Sequence, residues 1–393
     1  MNVNSVLLVG DVTQHNNDGL WGYFQNATKE LVQEIPFISA IGDHDYTWGE
    51  DGYTITDRNN TEFSKYLGFP LTKQKVVLFP DNDFAVVAVD SNKDQLKDFF
   101  LFPFINKDQG SIVDWMNKEK QKALAHEVGL NIVESKSIEV KDGNFSIPSV
   151  INYPCFTKTR AYIQGTKKTL KRCNNEIELR DFLRDLGTKF DLTLLVEDYK
   201  EIDKEYAIVG FSDGNRVVIP DIIQLLNIAH GSHFGVACRG KVMPIDGFEK
   251  IVTKFKQFIL KIGYIGVFDI DFFLSKGDFY FCELNLRIGG SCFAITKMGV
   301  NLPGMMVKYL CGEKVNSMSQ EINESAVFVN ERMCLDDWYL RYIPTKEYHR
   351  IVNSSDISFI KDEDDIYPYI MYKKEYRKRQ IKRIINYILW RKR

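Results

Sequence analysis

The stretch IGVFDIDFFLSKGDFYFCELNLRIGG, residues 265–290, constrains the fold more than any other part of the chain. Two runs of alternating apolar and polar residues flank Lys276-Gly277-Asp278. A period of two marks half-buried strands, so the stretch predicts an antiparallel hairpin. In the first strand Asp269 and Asp271 share one face, and Phe268, Ile270, Phe272 and Leu274 share the other. In the second, Glu283, Asn285 and Arg287 share a face. Pairing the strands about Gly277 sets Asp271 opposite Glu283 and Asp269 opposite Asn285, with Arg287 at the edge of the patch. The apolar face needs a core beneath it. The acidic face repels itself unless a cation or a proton relieves it. An oxygen-only donor set of this kind suits Mg2+, which keeps several waters and bridges to substrate phosphates. A solvated polar face on an edge hairpin is the competing reading of the same pattern.

The rest of the chain provides material for such a core. Its 393 residues are 44% hydrophobic and 26% charged, enough for two or three globular domains. A formal net charge of −2 gives no general attraction to nucleic acid. No apolar run reaches the roughly 18 residues of a membrane-spanning helix, and no signal peptide is evident. The seven cysteines are scattered and form no CxxC pair, so a reduced, cytoplasmic protein is expected. SVLLVG, IPFISAIG, KVVLFP and FAVVAV read as strands, and LWGYFQNATKELVQ as a helix. WMNKEKQKALAHEVGL reads as a helix closed by Gly129. Residues 151–310 alternate strands and helices.

With these elements in place, FDIDFF followed by ELNLR resembles the metal hairpin of ATP-grasp enzymes. The likeness is strongest to their carboxylate–amine ligase branch, which includes carbamoyl phosphate synthase-like and D-aspartate ligase-like proteins. It runs from about Val76 to Gly312 and rests on five motifs in order. VLFPDNDFAVVAVDSNKDQLKDFF is similar to the end of a pre-grasp domain. MNKEKQKALAHEVGL carries Lys118, and INYPCFTKTRAYIQGTKK carries Lys158, as the two nucleotide lysines. LLVEDYKEIDKEYAIVG is similar to the adenine hinge, with Glu197, Asp198 and Tyr199 presenting backbone groups and Glu205 holding the ribose. GVNLP closes the region.

The resemblance implies an α/β (α+β) protein with an ATP-grasp fold, in which two α+β subdomains clasp ATP behind a small α/β segment. It implies a ligase that uses ATP and Mg2+, with Mn2+ as an alternative, to activate a carboxylate as an acyl phosphate for attack by an amine. Asp271, Glu283 and Asn285 would hold the metal, with Asp269 as a helper. Lys118, Lys158 and Arg287 would meet the phosphates, with Lys158 and Arg287 in catalytic roles. Arg239 would bind an anionic substrate or phosphate, near His230 and His233. Cys282 and Cys292 are expected to be core residues. The chain departs from the family in its phosphate loop, which has Lys158-Thr159 in place of Lys-Pro and only Gly165 in the covering segment. A non-catalytic nucleotide-binding protein is therefore an alternative.

The amino-terminal segment has its own likeness. LLVGDVTQHN and AIGDHDYTW, to about residue 73, resemble two motifs of calcineurin-like metallophosphoesterases, with Asp11, Asp43 and His44 in ligand positions. The upstream Asp-x-His and the later histidines of that family are missing from this sequence, so the two-metal site is incomplete. The segment reads either as a truncated phosphoesterase-like piece or as an ordinary pre-grasp domain. The expected divisions are 1–75 for this segment, 76–115 for the end of the pre-grasp domain, 116–320 for the grasp and 321–393 for a carboxy-terminal extension. That extension ends in a basic helix, with ten Lys/Arg against one Glu over 373–393. Ile381, Ile384, Ile385, Ile388 and Leu389 recur at helical spacing. The helix suits a membrane surface or an acidic partner, or else its apolar stripe docks on the body. Expected partners are small-molecule carboxylate and amine substrates, with no nucleic acid, and a homo-oligomer is left open.

Overall fold

The computed structural model describes residues 6–10, 37–41, 76–98, 100–105, 108–160, 169–188, 191–230, 236–315, 321–361 and 366–391. The first sheet is parallel and joins β1 (Val6–Gly10), β2 (Phe37–Ile41), β3 (Val76–Pro80) and β4 (Phe100–Leu101) in the order β2-β1-β3-β4. The expected boundary at residue 75 thus falls within one sheet. Strands on both sides of it hydrogen-bond directly. Asp11, Asp43, His44, Gly165 and His233 lie outside the described residues.

FAVVAV is not a strand. Residues Asp83–Ser91 form helix α1, because the Asn82 side chain caps it by accepting the Ala85 N–H at 2.9 Å. A short apolar run does not distinguish a buried strand from a buried helix, and here the cap decides. Helices α2 (Lys93–Leu96), α3 (Ser111–Trp115) and α4 (Lys118–Glu127) follow. Asn117, which the sequence reading did not single out, caps α4, and Gly129 ends it at φ 79°, as the sequence predicted.

The second sheet is antiparallel and contains β7 (Ser135–Lys141), β8 (Asn144–Phe145), β9 (Cys155–Thr159), β10 (Lys171–Cys173) and β11 (Leu192–Asp198), ordered β10-β9-β11-β7-β8. Helix α5 (Glu176–Gly187) seals it by packing Leu179, Leu183 and Leu186 on Ile138, Val140, Leu194 and Val196.

The third and largest sheet has the order β19-β18-β15-β14-β12-β16-β17-β6. Its strands are β6 (Asn131–Ile132), β12 (Lys204–Asp213), β14 (Ile222–Ile228), β15 (Ala237–Met243), β16 (Tyr264–Ser275), β17 (Asp278–Asn285), β18 (Ala326–Val329) and β19 (Ile357–Ser358). The short strands β5 (Phe104–Ile105) and β13 (Val217–Val218) pair with β16 and β12. On one face, helix α6 (Glu249–Ile262) packs Phe255 and Phe258 against Phe268, Ile270 and Phe272. Each fully buried aromatic contributes about 1.5–3 kcal/mol. On the other face, α7 (Cys292–Lys297) and α8 (Leu302–Leu310) set Leu302, Met305 and Met306 on Val209, Phe211 and Val267. Helices α9 (Glu331–Tyr339), α10 (Thr345–Asn353) and α11 (Tyr367–Arg391) complete the chain. Among the described residues no helix is long and apolar enough to cross a membrane.

The predicted hairpin is β16–β17, with Asp269 paired to Asn285 and Asp271 to Glu283. The route to that register differs from simple pairing about Gly277. The turn has two residues, Lys276 at φ 51° and Gly277 at φ 89°, so Ser275 pairs with Asp278. Two consecutive positive φ values are those of a type I′ hairpin. Carried on unbroken, this register would set Cys282 opposite Asp271. Instead a register shift falls between Asp271 and Phe272, and Cys282 is the extra residue between Phe281 and Glu283. This bulge restores Glu283 to the acidic face.

Candidate active site

The acidic face of the hairpin extends onto the neighbouring strand. In β12, Ala207 pairs with Asp271 and Glu205 with Phe273, so Glu205 lies on the same face as the two aspartates. Burial pushes the Glu205 carboxyl above its ordinary range. Burial also pushes Asp269 up to about 6, and the neighbouring Glu283 and Asp83 charges add to this against the opposing pull of Arg287. Asp271 is pushed well up by burial, and then by Asp269 and Glu283. Glu283 behaves differently. Burial opposes its charge, but Lys118 and Lys158 outweigh it and hold the carboxyl below its usual range.

Helix α4 supplies the cations on one side. Lys118 Nζ lies 3.0 Å from Glu283 Oε2, and the Lys118 backbone N–H donates to Arg160 O at 2.9 Å, anchoring the helix start to the end of β9. One turn along, buried Gln121 grips the β17 backbone. Its Nε2 donates to Leu284 O at 2.9 Å and its Oε1 accepts the Leu284 N–H at 3.0 Å. Leu284 lies between Glu283 and Asn285, so this clamp fixes the strand that presents both. The next residue, Lys122, lies beside Glu197, where Lys158 from β9 also arrives at 2.7 Å from Glu197 Oε1. Burial disfavours both charges of the Lys158–Glu197 pair. Their mutual attraction wins, raising Lys158 and lowering Glu197. Lys122 is pushed down by burial despite Glu197.

On the opposite side, Arg287 Nε donates to Asp83 Oδ1 at 2.6 Å, tying the end of the hairpin to the first turn of α1. Gly289 lies against Asp269, where an added Cβ would come within 1.9 Å of Oδ2. A cavity of about 90 Å3 opens where Asp83, Lys118, Gln121, Thr159, Glu283 and Asn285 meet.

The structure therefore brings Lys118, Lys158, Asp271, Glu283, Asn285 and Arg287 around one patch, with Glu205 on the same sheet face. The other expected residues are placed differently. At the hinge, the Asp198 N–H is donated to Glu134 O and the Tyr199 N–H to Pro154 O. The Glu197 carboxylate is taken by two lysines, so these backbone and side-chain groups already have partners within the protein. Arg239 lies on β15, three strands from β16, and donates to Ser354 Oγ at 3.1 Å. The His230 ring pairs with Asp337 and stacks on Tyr342. Cys292 is buried, with its thiol pushed up to about 12, while Cys282, pushed up to about 11, is the bulge residue. Burial raises both, so neither is a poised nucleophile. Sequence reasoning missed Gln121, Lys122 and Asp83. The visible signal was a polar pair, Gln121-Lys122, on the side of α4 that also carries buried Ala125.

Among the described residues no group of three or more His, Cys, Asp or Glu side chains is arranged to hold a metal by itself. Asp271, Glu283 and Asn285 supply only oxygens and a limited charge. This fits Mg2+, which takes one or two carboxylates and completes its shell with water and phosphate. The buried Asp269 Oδ1 has no hydrogen-bond partner, and the two aspartates repel, so the patch suits a cation.

The sequence profile described as "Carbamoyl-phosphate synthase L chain, ATP binding domain" matches residues 117–318, just over half of the chain. The chain belongs to this family. It is an ATP-grasp protein, and its hairpin, lysine-bearing helix and second sheet all fall inside the matched region. The carbamoyl phosphate synthase large chain of Gemmatimonas aurantiaca is 23% identical over 222 residues, which is 55% of this chain and 20% of that protein. The corresponding protein of Clostridium botulinum (strain Alaska E43 / Type E3) is 23% identical over 268 residues, 65% of this chain and 24% of that protein. The chain thus spans about a fifth to a quarter of these relatives.

Solved structures share the fold at low identity. The biotin carboxylase domain of Hydrogenobacter thermophilus 2-oxoglutarate carboxylase, in complex with MgADP, ADP and bicarbonate, has a TM-score of 0.57 at 15% identity, covering 82% of this chain and 73% of that one. Carboxyaminoimidazole ribonucleotide synthase from Aspergillus clavatus, complexed with ATP, has a TM-score of 0.52 at 14% identity, covering 84% and 83%.

Proposed function

We propose that the chain binds ATP and Mg2+ and activates a small carboxylate as an acyl phosphate, which an amine then attacks to form a C–N bond. The observation that carries this reading is the convergence of Lys118 and Lys158 on the Asp271–Glu283–Asn285 patch. Family membership and the nucleotides bound to the similar structures support it.

Asp271, Glu283 and Asn285 would hold the metal, which when bound neutralises phosphate charge. Lys118 and Lys158 are fixed cations that would meet the negative charge of a transferring phosphoryl group. Glu283 and Glu197 orient them, because Glu283 holds the Lys118 ammonium and Glu197 holds that of Lys158. Arg287, braced by Asp83, adds a bidentate-capable cation at the rim. Burial of the lysines excludes water from around them and strengthens their field. No protein nucleophile is needed, since positioning reactants supplies much of the rate. Arg239 remains a candidate for the substrate anion, and Glu205 for the ribose.

The test is ADP and phosphate release with Mg2+ across a panel of carboxylates and amines. Amine-dependent ADP release, reduced about 10²–10³-fold in Glu283→Gln, supports the proposal. Nucleotide binding without turnover on any pair would leave a non-catalytic nucleotide-binding protein. Hydrolysis of a phosphate ester with Mn2+, lost in His44→Ala, would instead assign chemistry to the amino-terminal segment.

A further inference from the structure

Among its described side chains, helix α11 docks on the body through one face. Tyr376 stacks on Tyr348 at 5.6 Å between ring centroids, and the hydroxyls of Tyr372 and Tyr348 share a hydrogen bond. Arg379 pairs with Asp336 and, at 2.8 Å, with Glu375. Arg383 donates to Trp338 O at 2.7 Å and lies over the Trp338 ring. These four residues follow one another at helical spacing of three or four and face α9 and α10.

Ile381 and Ile385 point elsewhere. Ile381 is 58% exposed and Ile385 49%, and Ile370 and Met371 are also open to solvent at 41% and 38%. Between them, at the same helical spacing, stand exposed Lys374, Arg377, Lys378 and Lys382. The expectation that this apolar stripe docks on the body therefore fails at Ile381 and Ile385. Tyrosines and two arginines do the docking, and the isoleucines face outward among cations.

We propose that this outer face of α11 binds anionic lipid bilayers, with the helix lying in the headgroup plane. Half-exposed isoleucines on a surface helix contribute nothing to folding, but they gain by entering the acyl boundary. Lysine and arginine stems reach from that depth to lipid phosphates. The rest of the chain is net acidic, since the whole carries −2 while residues 373–393 hold ten Lys/Arg against one Glu. This helix therefore carries a positive excess that the rest of the chain, taken together, lacks. An acidic polypeptide would use the cations but has no need of the isoleucines between them, so the alternation favours lipid.

The experiment is co-sedimentation of the full chain with phosphatidylcholine vesicles, with and without 30% phosphatidylserine. Binding is expected only to the anionic vesicles and should weaken with salt. Converting Lys374, Arg377, Lys378 and Lys382 to Gln should weaken it about five-fold each, several hundred-fold together. Ile381→Ser and Ile385→Ser should each weaken it by about ten-fold. All six positions are exposed, so thermal unfolding should be unchanged. Equal sedimentation with both vesicle types, or none with either, overturns the proposal. Loss in the glutamine variant without loss in the serine variants also overturns it, and would indicate a purely ionic surface suited to an acidic polypeptide. Competition by soluble polyglutamate that leaves vesicle binding intact supports the lipid assignment.

Discussion

The Lys122–Glu197–Lys158 cluster allows a quantitative test of how the site is held. All three side chains are at most 10% exposed, and one carboxylate serves two ammonium groups. Glu197→Gln keeps the shape but removes the only anion of the triad. Lys122 retains Val133 O at 2.7 Å, while the Lys158 charge loses its principal partner. Removing one partner of a buried ion pair costs about 3–5 kcal/mol, because the remaining charge stays desolvated. At about 2–4 °C per kcal/mol, the thermal midpoint should fall by about 6–20 °C.

The deficit should depend on pH. With Glu197 gone, the buried lysines have folded-state pKa values below the unfolded value. The unfolded chain then binds more protons, and stability rises with pH. The difference from wild type should therefore shrink as pH is raised from 7 toward 10, in differential scanning calorimetry at constant ionic strength. Glu197→Gln/Lys122→Met, which removes one surplus cation, should recover more than half of the loss. A single variant within about 1 kcal/mol of wild type, the range of exposed pairs, would refute the reasoning. So would a double variant no more stable than the single.

Other consequences are as direct. Gln121→Leu strands the Leu284 N–H and C=O, each worth about 1–3 kcal/mol when buried and unpaired, and should speed hydrogen exchange at Leu284 together with the loss of stability. Gly289→Ala forces a Cβ onto Asp269 and should cost about 1–3 kcal/mol, read by urea unfolding. It should also weaken Mg2+ stabilisation of the fold. Asp269, raised to about 6, favours the fold when protonated. That contribution is full below the unfolded value near 3.9 and is lost as pH rises through about 6. Wild type should lose stability across this window more steeply than Asp269→Asn, and MgCl2 should lessen the loss at the upper end.

Much of this protein was legible from residue order alone. The alternation in 265–290 fixed which side chains face the core, because side-chain direction in a strand depends only on local geometry. Gly129 likewise marked the end of the helix that carries Lys118, since a helix cap is local chemistry, whereas the Asn117 cap at its start was not read. FAVVAV was misread because a short apolar run has no period of its own, and the capping bond from Asn82 was the information that settled it.

Tertiary structure alone decided how the pieces meet. The acidic register came out as predicted, but through a two-residue turn corrected by a bulge at Cys282. The bulge marks the alternation as a change of parity, from Phe279 and Phe281 to Leu284 and Leu286 on the core side, which simple pairing about Gly277 passes over. The partners of Glu197, Arg287 and Gln121 lie 39 to 204 residues away in the chain. No spacing rule reaches that far, because such contacts exist only once separate sheets and helices have closed around one core.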